Sequence, residues 1–286
     1  MGHPAVAWKA IEEGKSRGYT DLLGWSQKTS MLPLIHANFL QRLIQHIQAD
    51  QRFEALLAGG SMVHGGFDEY SDLDLILLVR DEDYAAIISC RHSLASNWGQ
   101  LLACFTGEHV GEPRLLICLY EPVLHVDLKF VRVSDFVQAV ERPLVQWARV
   151  PERIERLLEG LRVEWPDRSP DWFEERAWIW LHYAGTKLQR GELFEAMGML
   201  AFFRDQVLGP MLHRRSHRPQ RGVRRIEGDA AASASLEVVT SGHDAESISR
   251  ALRNATGLYE LLRKDDPPTK VVSGMPERLL PLLSVS

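Results

Sequence analysis

The feature that most constrains the fold lies in residues 59–79, where a glycine-rich turn leads into an apolar strand that opens with two acids. The turn is Gly59-Gly60-Ser61, and the strand begins with Asp72, Leu73 and Asp74. Side chains alternate across a strand, so both aspartates are predicted on one face and Leu73 on the other. Their Cα atoms would lie about 6.6 Å apart, which lets both carboxylates reach one hard cation.

The glycine-rich turn adds a second binding element to the carboxylate pair. Around Gly60 and Ser61, backbone N–H groups are left free to hold phosphate oxygens. A magnesium-bound nucleoside triphosphate requires both a turn that holds phosphate and carboxylates that hold the cation. Residues 59–79 therefore predict a site for a nucleoside triphosphate with Mg²⁺.

Bulk composition narrows the class of protein. The chain has 286 residues, 45% of them hydrophobic and 25% charged, which is typical of a globular protein with one large domain or two medium ones. The net charge of −5 makes nucleic acid an unexpected partner. With no apolar run of membrane length and no signal-peptide profile, we predict a cytoplasmic protein without a membrane partner. The cysteines lack metal-type spacing and are predicted to be buried free thiols: Cys90, Cys104 and Cys118.

Periodicity divides the chain into a strand-rich half and a helical half. In the first half the patterns predict a helix at 33–49, a strand at 54–59, a short helix after Ser61, a strand at 73–79, a helix capped by Asp81 to about Trp98, and strands at 100–106, 114–120 and 123–132. No strand is predicted beyond about residue 134. The second half predicts helices at 171–190, 192–208 and 245–263, with a mobile connection or weak helix at 228–244. This order predicts an α+β protein, a small mixed sheet followed by a C-terminal helical bundle.

The motif resembles a known family signature. Gly60-Ser61, ten residues, then Asp72-Leu73-Asp74 is similar to the signature of the DNA polymerase β-like nucleotidyltransferase superfamily. That superfamily carries a third acid on a neighbouring strand, and Asp127, between Val126 and Leu128, fits that place. A second resemblance, at Arg190-Gly191-Glu192, is to the antibiotic nucleotidyltransferases of the lincosamide and aminoglycoside types.

The resemblance implies a role for each matching residue. Asp72, Asp74 and Asp127 would be the catalytic and metal-binding acids, and Asp127 would either complete a second metal site or accept the hydroxyl proton. Gly60, Ser61, Asp72 and Asp74 would bind the nucleotide. Lys187 is a further candidate for contact with nucleotide phosphate, but a solvated helix lysine explains it equally well. Mg²⁺ would be the cofactor and ATP, or another nucleoside triphosphate, the co-substrate. A hydroxyl of a small molecule would attack the α-phosphorus and release pyrophosphate.

Composition and periodicity also divide the chain. We expect an N-terminal extension, or a mis-called start, at residues 1–30, a catalytic domain at 31–150, a helical acceptor-binding domain at 165–270 and a tail at 271–286. Relatives that build sites between two chains make a homodimer a further expectation.

Several residues have a second, ordinary explanation. Glu108 and Glu112 are candidates for the general base, but a surface turn also explains both. Glu192 could reach the substrate from the bundle or be an acid in the first turn of a helix, where the helix dipole favours it. His64 could meet phosphate or be a solvated loop residue. An aromatic group could line an acceptor pocket or form packing contacts: Trp172, Trp178, Trp180, His182 and Tyr183. An arginine run could bind RNA or phosphates or be solvated surface: Arg214, Arg215, Arg218, Arg221, Arg224 and Arg225.

Two other functions are therefore left open. A nucleotidyltransferase that acts on protein or tRNA would use the arginine run. A non-catalytic nucleotide-binding or toxin–antitoxin module would keep the fold without the transfer, although the intact acid pair argues against it.

Overall fold

The computed structural model describes residues 32–285, so the predictions for residues 1–30 and for a domain start at Met31 lie outside the described part. The chain divides into two compact units, the first ending at Arg162 and the second beginning at Val163. Strands dominate the first unit and helices the second, which confirms the predicted α+β class with a helical C-terminal part.

The first unit is built on a six-stranded mixed sheet. Its elements are α1 (Leu34–Ala49), β1 (Phe53–Ala58), α2 (Ser61–His64), β2 (Leu73–Val79), α3 (Tyr84–Asn97), β3 (Leu101–Gly107), β4 (Glu112–Tyr120), β5 (Leu124–Arg132), β6 (Gln138–Ala139), β7 (Leu144–Ala148) and α4 (Pro151–Glu159), with β8 (Arg162–Val163) at the unit boundary. The sheet order is β3-β4-β5-β2-β1-β7. The central pair, β2 and β5, is parallel, and the other neighbours are antiparallel.

The two faces of this sheet have separate apolar cores. On one face, Leu73 and Leu75 of β2 are buried with Val126 and Leu128 of β5, and they share a core with α1 and α3. On the other face, a smaller core contains apolar residues of β1 and α4, among them Leu57, Ile154 and Leu158. A slip of one residue in β2 or β5 would turn aspartates into the first core, so burial specifies the register that places them.

β7 corrects the prediction that no strand follows residue 134. Leu144–Ala148 pairs antiparallel with β1, with Ala58 opposite Leu144 and Ala55 opposite Ala148. The strand is short, lies at the sheet edge and carries a bulge, so its stability comes from a partner distant in sequence and not from its own pattern.

The predicted helix cap at Asp81 is also wrong. Asp81–Asp83 forms a single 3-10 turn, and α3 begins only at Tyr84. The Asp81 carboxylate accepts a hydrogen bond from the backbone N–H of Ser134 at 3.2 Å. This contact with a residue distant in sequence replaces the helix-capping hydrogen bond that the local sequence predicts.

The second unit is a helical bundle. Its helices are α5 (Pro170–Gln189), α6 (Leu193–Phe203), α7 (Gly209–Arg215), α8 (Ala230–Glu237) and α9 (Ala245–Arg263), and one π-helical turn, Arg204–Leu208, joins α6 to α7. The weak-helix alternative for residues 228–244 is confirmed by α8, where the Asp229 side chain accepts a hydrogen bond from Ala232 N–H at 3.1 Å. The segment predicted as a tail packs into the bundle core through Leu279 and Leu283.

A buried carboxylate on α5 links that helix to α9 and to the segment after it. Glu174 of α5 accepts hydrogen bonds from Trp178 Nε1 at 3.0 Å, from the Tyr259 hydroxyl at 2.5 Å and from Val272 N–H at 2.9 Å. Arg263 pairs with it at 3.0 Å. Burial alone would raise the pKa of Glu174, but these donors and the guanidinium bring it below its usual value.

The described residues also bear on the predictions about membrane helices and cysteines. No described helix combines the length and the apolarity that a membrane crossing requires. All three cysteines are free thiols as predicted, but only Cys118 is buried, whereas Cys90 and Cys104 are half-buried.

Candidate functional site

A row of aligned residues crosses the centre of the sheet. The parallel register places Asp74 of β2 directly opposite Asp127 of β5, and Asp127 lies opposite Ile117 of β4. On the other side, Gly59 N–H donates to the Asp74 carbonyl at 2.9 Å. Register partners on adjacent strands share a face, and neighbouring strands lie about 4.8 Å apart. The two carboxylates are therefore neighbours on the face opposite the larger core.

The glycine-rich turn abuts the first of these carboxylates. Gly60 adopts a φ of +59°, and a Cβ at this position would lie 1.8 Å from Asp74 Oδ2. Both the left-handed backbone and the close approach require glycine. The sequence predicted Gly60 and Asp74 as parts of one site, and the structure brings them into contact.

Electrostatics links the third acid to the first. Burial raises the pKa of the Asp127 carboxyl, and the charge of Asp72 raises it further. His125 opposes this effect, because its Nε2 lies 3.0 Å from Asp127 Oδ1. Asp72 and Asp127 are thus close enough for one carboxylate to disfavour ionisation of the other, a cost that a bound cation would relieve.

The side chain of Ser61 carries a buried polar atom. Its hydroxyl oxygen is buried and has no hydrogen-bond partner within residues 32–285. Beside it, Gly60 N–H already holds an anionic oxygen, since it donates to Glu141 Oε1. A buried hydroxyl and an N–H that holds a carboxylate are the donors that phosphate oxygens would use.

Two residues at this site were missed by the sequence analysis. Glu141 reaches the turn because β7, which follows it, pairs with β1, and neither the strand nor the contact has a local signal. His36 of α1 is fully buried and donates from Nε2 to the Ser71 carbonyl at 2.7 Å, next to Asp72. In the sequence His36 is indistinguishable from any polar residue of an amphipathic helix.

The donor set fits Mg²⁺ held jointly with a nucleotide. In the described part of the chain, no group of three or more His, Cys, Asp or Glu side chains is drawn together closely enough to hold a metal by itself. Mg²⁺ usually takes one or two carboxylates and completes its shell with substrate phosphates and water. Asp74 and Asp127, with Asp72 nearby, supply carboxylates of that number and kind.

Lys187, the remaining predicted nucleotide ligand, lies on α5 of the second unit. Its ammonium pairs with Glu192 Oε2 at 2.5 Å, and Arg190 pairs with the other oxygen of Glu192 at 2.7 Å. The hydrogen bond that Lys187 donates to Glu192 raises the pKa of Lys187, so the ammonium stays charged. Its role as a nucleotide ligand remains a prediction.

The candidates for the general base have other partners. Glu112 accepts from Arg114 and pairs with Lys129, each at 2.7 Å, and the hydrogen bond from Arg114 lowers the pKa of Glu112 to about 2. Glu108 is exposed and accepts a hydrogen bond from the Thr106 hydroxyl. A carboxylate as weakly basic as Glu112 is poorly suited to take a proton near neutral pH.

The aromatic group and the arginine run also have structural roles. Trp178 is buried and donates to Glu174, whereas Trp172 and Trp180 stack edge to face at 5.7 Å. Three arginines of the run pair with acids: Arg214 with Asp266, Arg215 with Asp265 and Arg218 with Asp229. These pairs favour an acid-compensated surface over a bare cationic patch.

Several solved structures have folds similar to that of this chain. An aminoglycoside 6-adenyltransferase from Bacillus subtilis has 13% identity and a TM-score of 0.34, over 79% of this chain and 88% of that one. A nucleotidyltransferase-like protein from Exiguobacterium sibiricum has 11% identity and a TM-score of 0.35, over 78% and 74%. The CCA-adding enzyme of Thermotoga maritima has 10% identity and a TM-score of 0.35, over 86% and 70%.

These neighbours belong to the polymerase β-like nucleotidyltransferase superfamily, the one that the sequence motif resembles. No family profile and no curated protein matches the chain.

Proposed function

We propose that this chain is a Mg²⁺-dependent nucleotidyltransferase that moves a nucleoside monophosphate, AMP from ATP as the first choice, to a hydroxyl of a small molecule. The observation that carries the proposal is the alignment of Asp74 with Asp127 across two parallel strands, with Gly60 packed against Asp74. It places paired carboxylates beside a turn whose N–H already holds an anionic oxygen.

Each residue of the site has a part in this reaction. Asp72 and Asp74 bind the cation, and Gly60 N–H and the Ser61 hydroxyl hold β- and γ-phosphate oxygens. When bound, Mg²⁺ would neutralise negative charge on the triphosphate. The acceptor oxygen forms a bond to the α-phosphorus as the bond to the β-phosphate oxygen breaks, and pyrophosphate leaves. Asp127 either adds a metal ligand or takes the hydroxyl proton. Positioning and charge neutralisation supply most of the rate.

The proposal also names a class of acceptor molecule. The resemblance at Arg190-Gly191-Glu192 supports a lincosamide or aminoglycoside, and a net charge of −5 suits a cationic small molecule. Lys187 would contribute to nucleotide binding. The cytoplasmic location inferred from the sequence belongs to the same proposal.

The competing functions have less support. A transferase that acts on tRNA would need cationic surface, yet Arg214, Arg215 and Arg218 are paired with acids. A non-catalytic binding module has no need for two carboxylates aligned across strands beside a phosphate-holding turn.

The test is a pyrophosphate-release screen of the four nucleoside triphosphates against a panel of lincosamides and aminoglycosides. We expect Mg²⁺-dependent release with one acceptor, and a loss of about 1,000-fold or more in the Asp72→Ala, Asp74→Ala double variant. Asp83→Ala, which removes a half-buried carboxylate without a side-chain cap bond, is the matched control. Measured Mg²⁺–nucleotide binding without release from any acceptor would instead support the non-catalytic module.

A further inference from the structure

The proposed triphosphate turn is already engaged by a side chain of the same unit. Glu141 lies between β6 and β7, and its side chain is 15% exposed. Its Oε1 accepts the hydrogen bond from Gly60 N–H, and its Oε2 contacts His64 Nε2 at the end of α2. Both carboxylate oxygens therefore contact the segment assigned to phosphate binding.

A carboxylate in this position competes with a phosphate oxygen. A backbone N–H donates one proton, so Gly60 cannot give a full hydrogen bond to Glu141 and to a phosphate at once. Charge also opposes phosphate binding, because two carboxylates lie close to the turn. Glu141 Oε1 would be 3.0 Å from a Cβ at Gly59, and Asp74 Oδ2 would be 1.8 Å from a Cβ at Gly60. The turn thus has a negative group on each side, and a triphosphate would add more negative charge beside them.

Glu141 can leave the turn by rotation of its side chain. The backbone that follows it is held, since the Arg142 guanidinium donates to the Leu158 carbonyl at 3.0 Å and Leu144 pairs with Ala58 of β1. Glu141 itself lies outside regular strand and helix. Its carboxylate can therefore swing away while the sheet edge keeps its pairing.

We propose that Glu141 is an internal ligand of the phosphate-binding turn, and that oligophosphate binds by displacing its carboxylate from Gly60 N–H. The inference rests on the proposed function for the identity of the incoming group. The displacement weakens the apparent affinity for nucleotide, since each binding event must first break the contact between Glu141 and the turn.

Two substitutions test the competition. Glu141→Gln removes the charge at nearly constant size, and Glu141→Ala removes the side chain. Binding of inorganic tripolyphosphate and of the nucleotide selected by the screen is measured by calorimetry on the full chain. We expect dissociation constants about tenfold lower in the alanine variant and a smaller gain with glutamine, which can still accept from Gly60 N–H. Glu155→Gln, an exposed acid of α4, should bind like the wild type.

A second measurement locates the effect at the turn. In the wild type the Gly60 amide proton resonance should move when tripolyphosphate is added, and Glu141→Ala alone should also move it. Adding Ser61→Ala to the alanine variant should reverse the gain in affinity. Dissociation constants that rise or stay unchanged in both Glu141 variants would overturn the inference, and a rise would make Glu141 part of the metal or nucleotide site instead.

The outcomes separate this inference from the proposed function. Tighter tripolyphosphate binding in Glu141→Ala without pyrophosphate release from any acceptor keeps the internal ligand and rejects the transferase. Mg²⁺-dependent release with unchanged affinity in both variants keeps the transferase and rejects the internal ligand.

Discussion

At the scale of single residues, the site holds negative charge in unfavourable surroundings. Asp127 is only 22% exposed, burial and the charge of Asp72 disfavour its ionised form, and Asp74 is its register partner. Such an arrangement costs folding free energy and is retained where a cation or substrate compensates for it. These three aspartates, Asp72, Asp74 and Asp127, form an acid row that is therefore expected to trade stability for activity.

Asp127→Asn tests this trade directly. We expect turnover to fall roughly 100-fold or more, because a ligand or proton acceptor is lost. The melting temperature should stay equal or rise by about 1–3 °C, because a disfavoured charge is removed. Pyrophosphate release and thermal unfolding at neutral pH measure the two effects, with Asp83→Asn as control. A lower melting temperature with full turnover would contradict the assignment.

At the scale of elements, a compact ion cluster fastens β4 to β5. Glu112 at the start of β4 accepts from Arg114 of the same strand and pairs with Lys129 of β5. Lys129 follows Asp127 on the same face, so the cluster lies beside the acid row. The pairs are partly solvated, and their contribution to stability is modest.

The pH dependence of stability should show this cluster. The pKa of Glu112 falls from 4.5 to about 2 on folding, chiefly through the hydrogen bond from Arg114. A lowered carboxyl pKa stabilises the fold above the unfolded value, and the gain is lost as pH falls from about 4.5 towards 2. We expect Glu112→Gln to lower the free energy of unfolding by about 1 kcal/mol at pH 7.

Urea unfolding between pH 3 and pH 7 is the measurement for Glu112→Gln, and the difference from wild type should shrink below about pH 4.5. Glu159→Gln, on the exposed side of α4, should show no such dependence. A difference that stays constant across this range would mean that the ionisation of Glu112 does not stabilise the sheet.

At the scale of the whole molecule, the described chain consists of two units with separate cores. The sheet unit buries one apolar core on each face, and the bundle buries its own around α5, α6 and α9. The proposed acid row and turn belong entirely to the first unit. Ligand binding there should therefore be visible first in the unfolding of that unit.

Calorimetry in the presence of nucleotide tests this placement. A ligand at 100 times its dissociation constant stabilises the folded state by about 2.7 kcal/mol. We expect Mg²⁺ and the selected nucleotide together to raise the transition of the first unit, and nucleotide with a chelator to raise it less. The Asp72→Ala, Asp74→Ala variant should show no shift. An equal shift in that variant would place the nucleotide elsewhere.

Sequence patterns predicted much of the fold where the signal is local. β2 and α9 have the predicted bounds, 73–79 and 245–263, because the apolar spacing that defines them is local. β7 was missed and the cap at Asp81 was wrong, because in both places the deciding partner is distant in the chain. Local periodicity does not contain that information.

The candidate site divides in the same way. The sequence by itself predicted the glycine turn and the acid pair, because a period of two and the chemistry of carboxylates are local properties, and the resemblance to a family signature added Asp127. Only the tertiary structure decided that Asp74 faces Asp127, that His36 holds the loop before Asp72, and that Glu141 lies on Gly60. Those contacts depend on sheet order and helix packing, which arise from burial across the whole unit and not from any short stretch of residues.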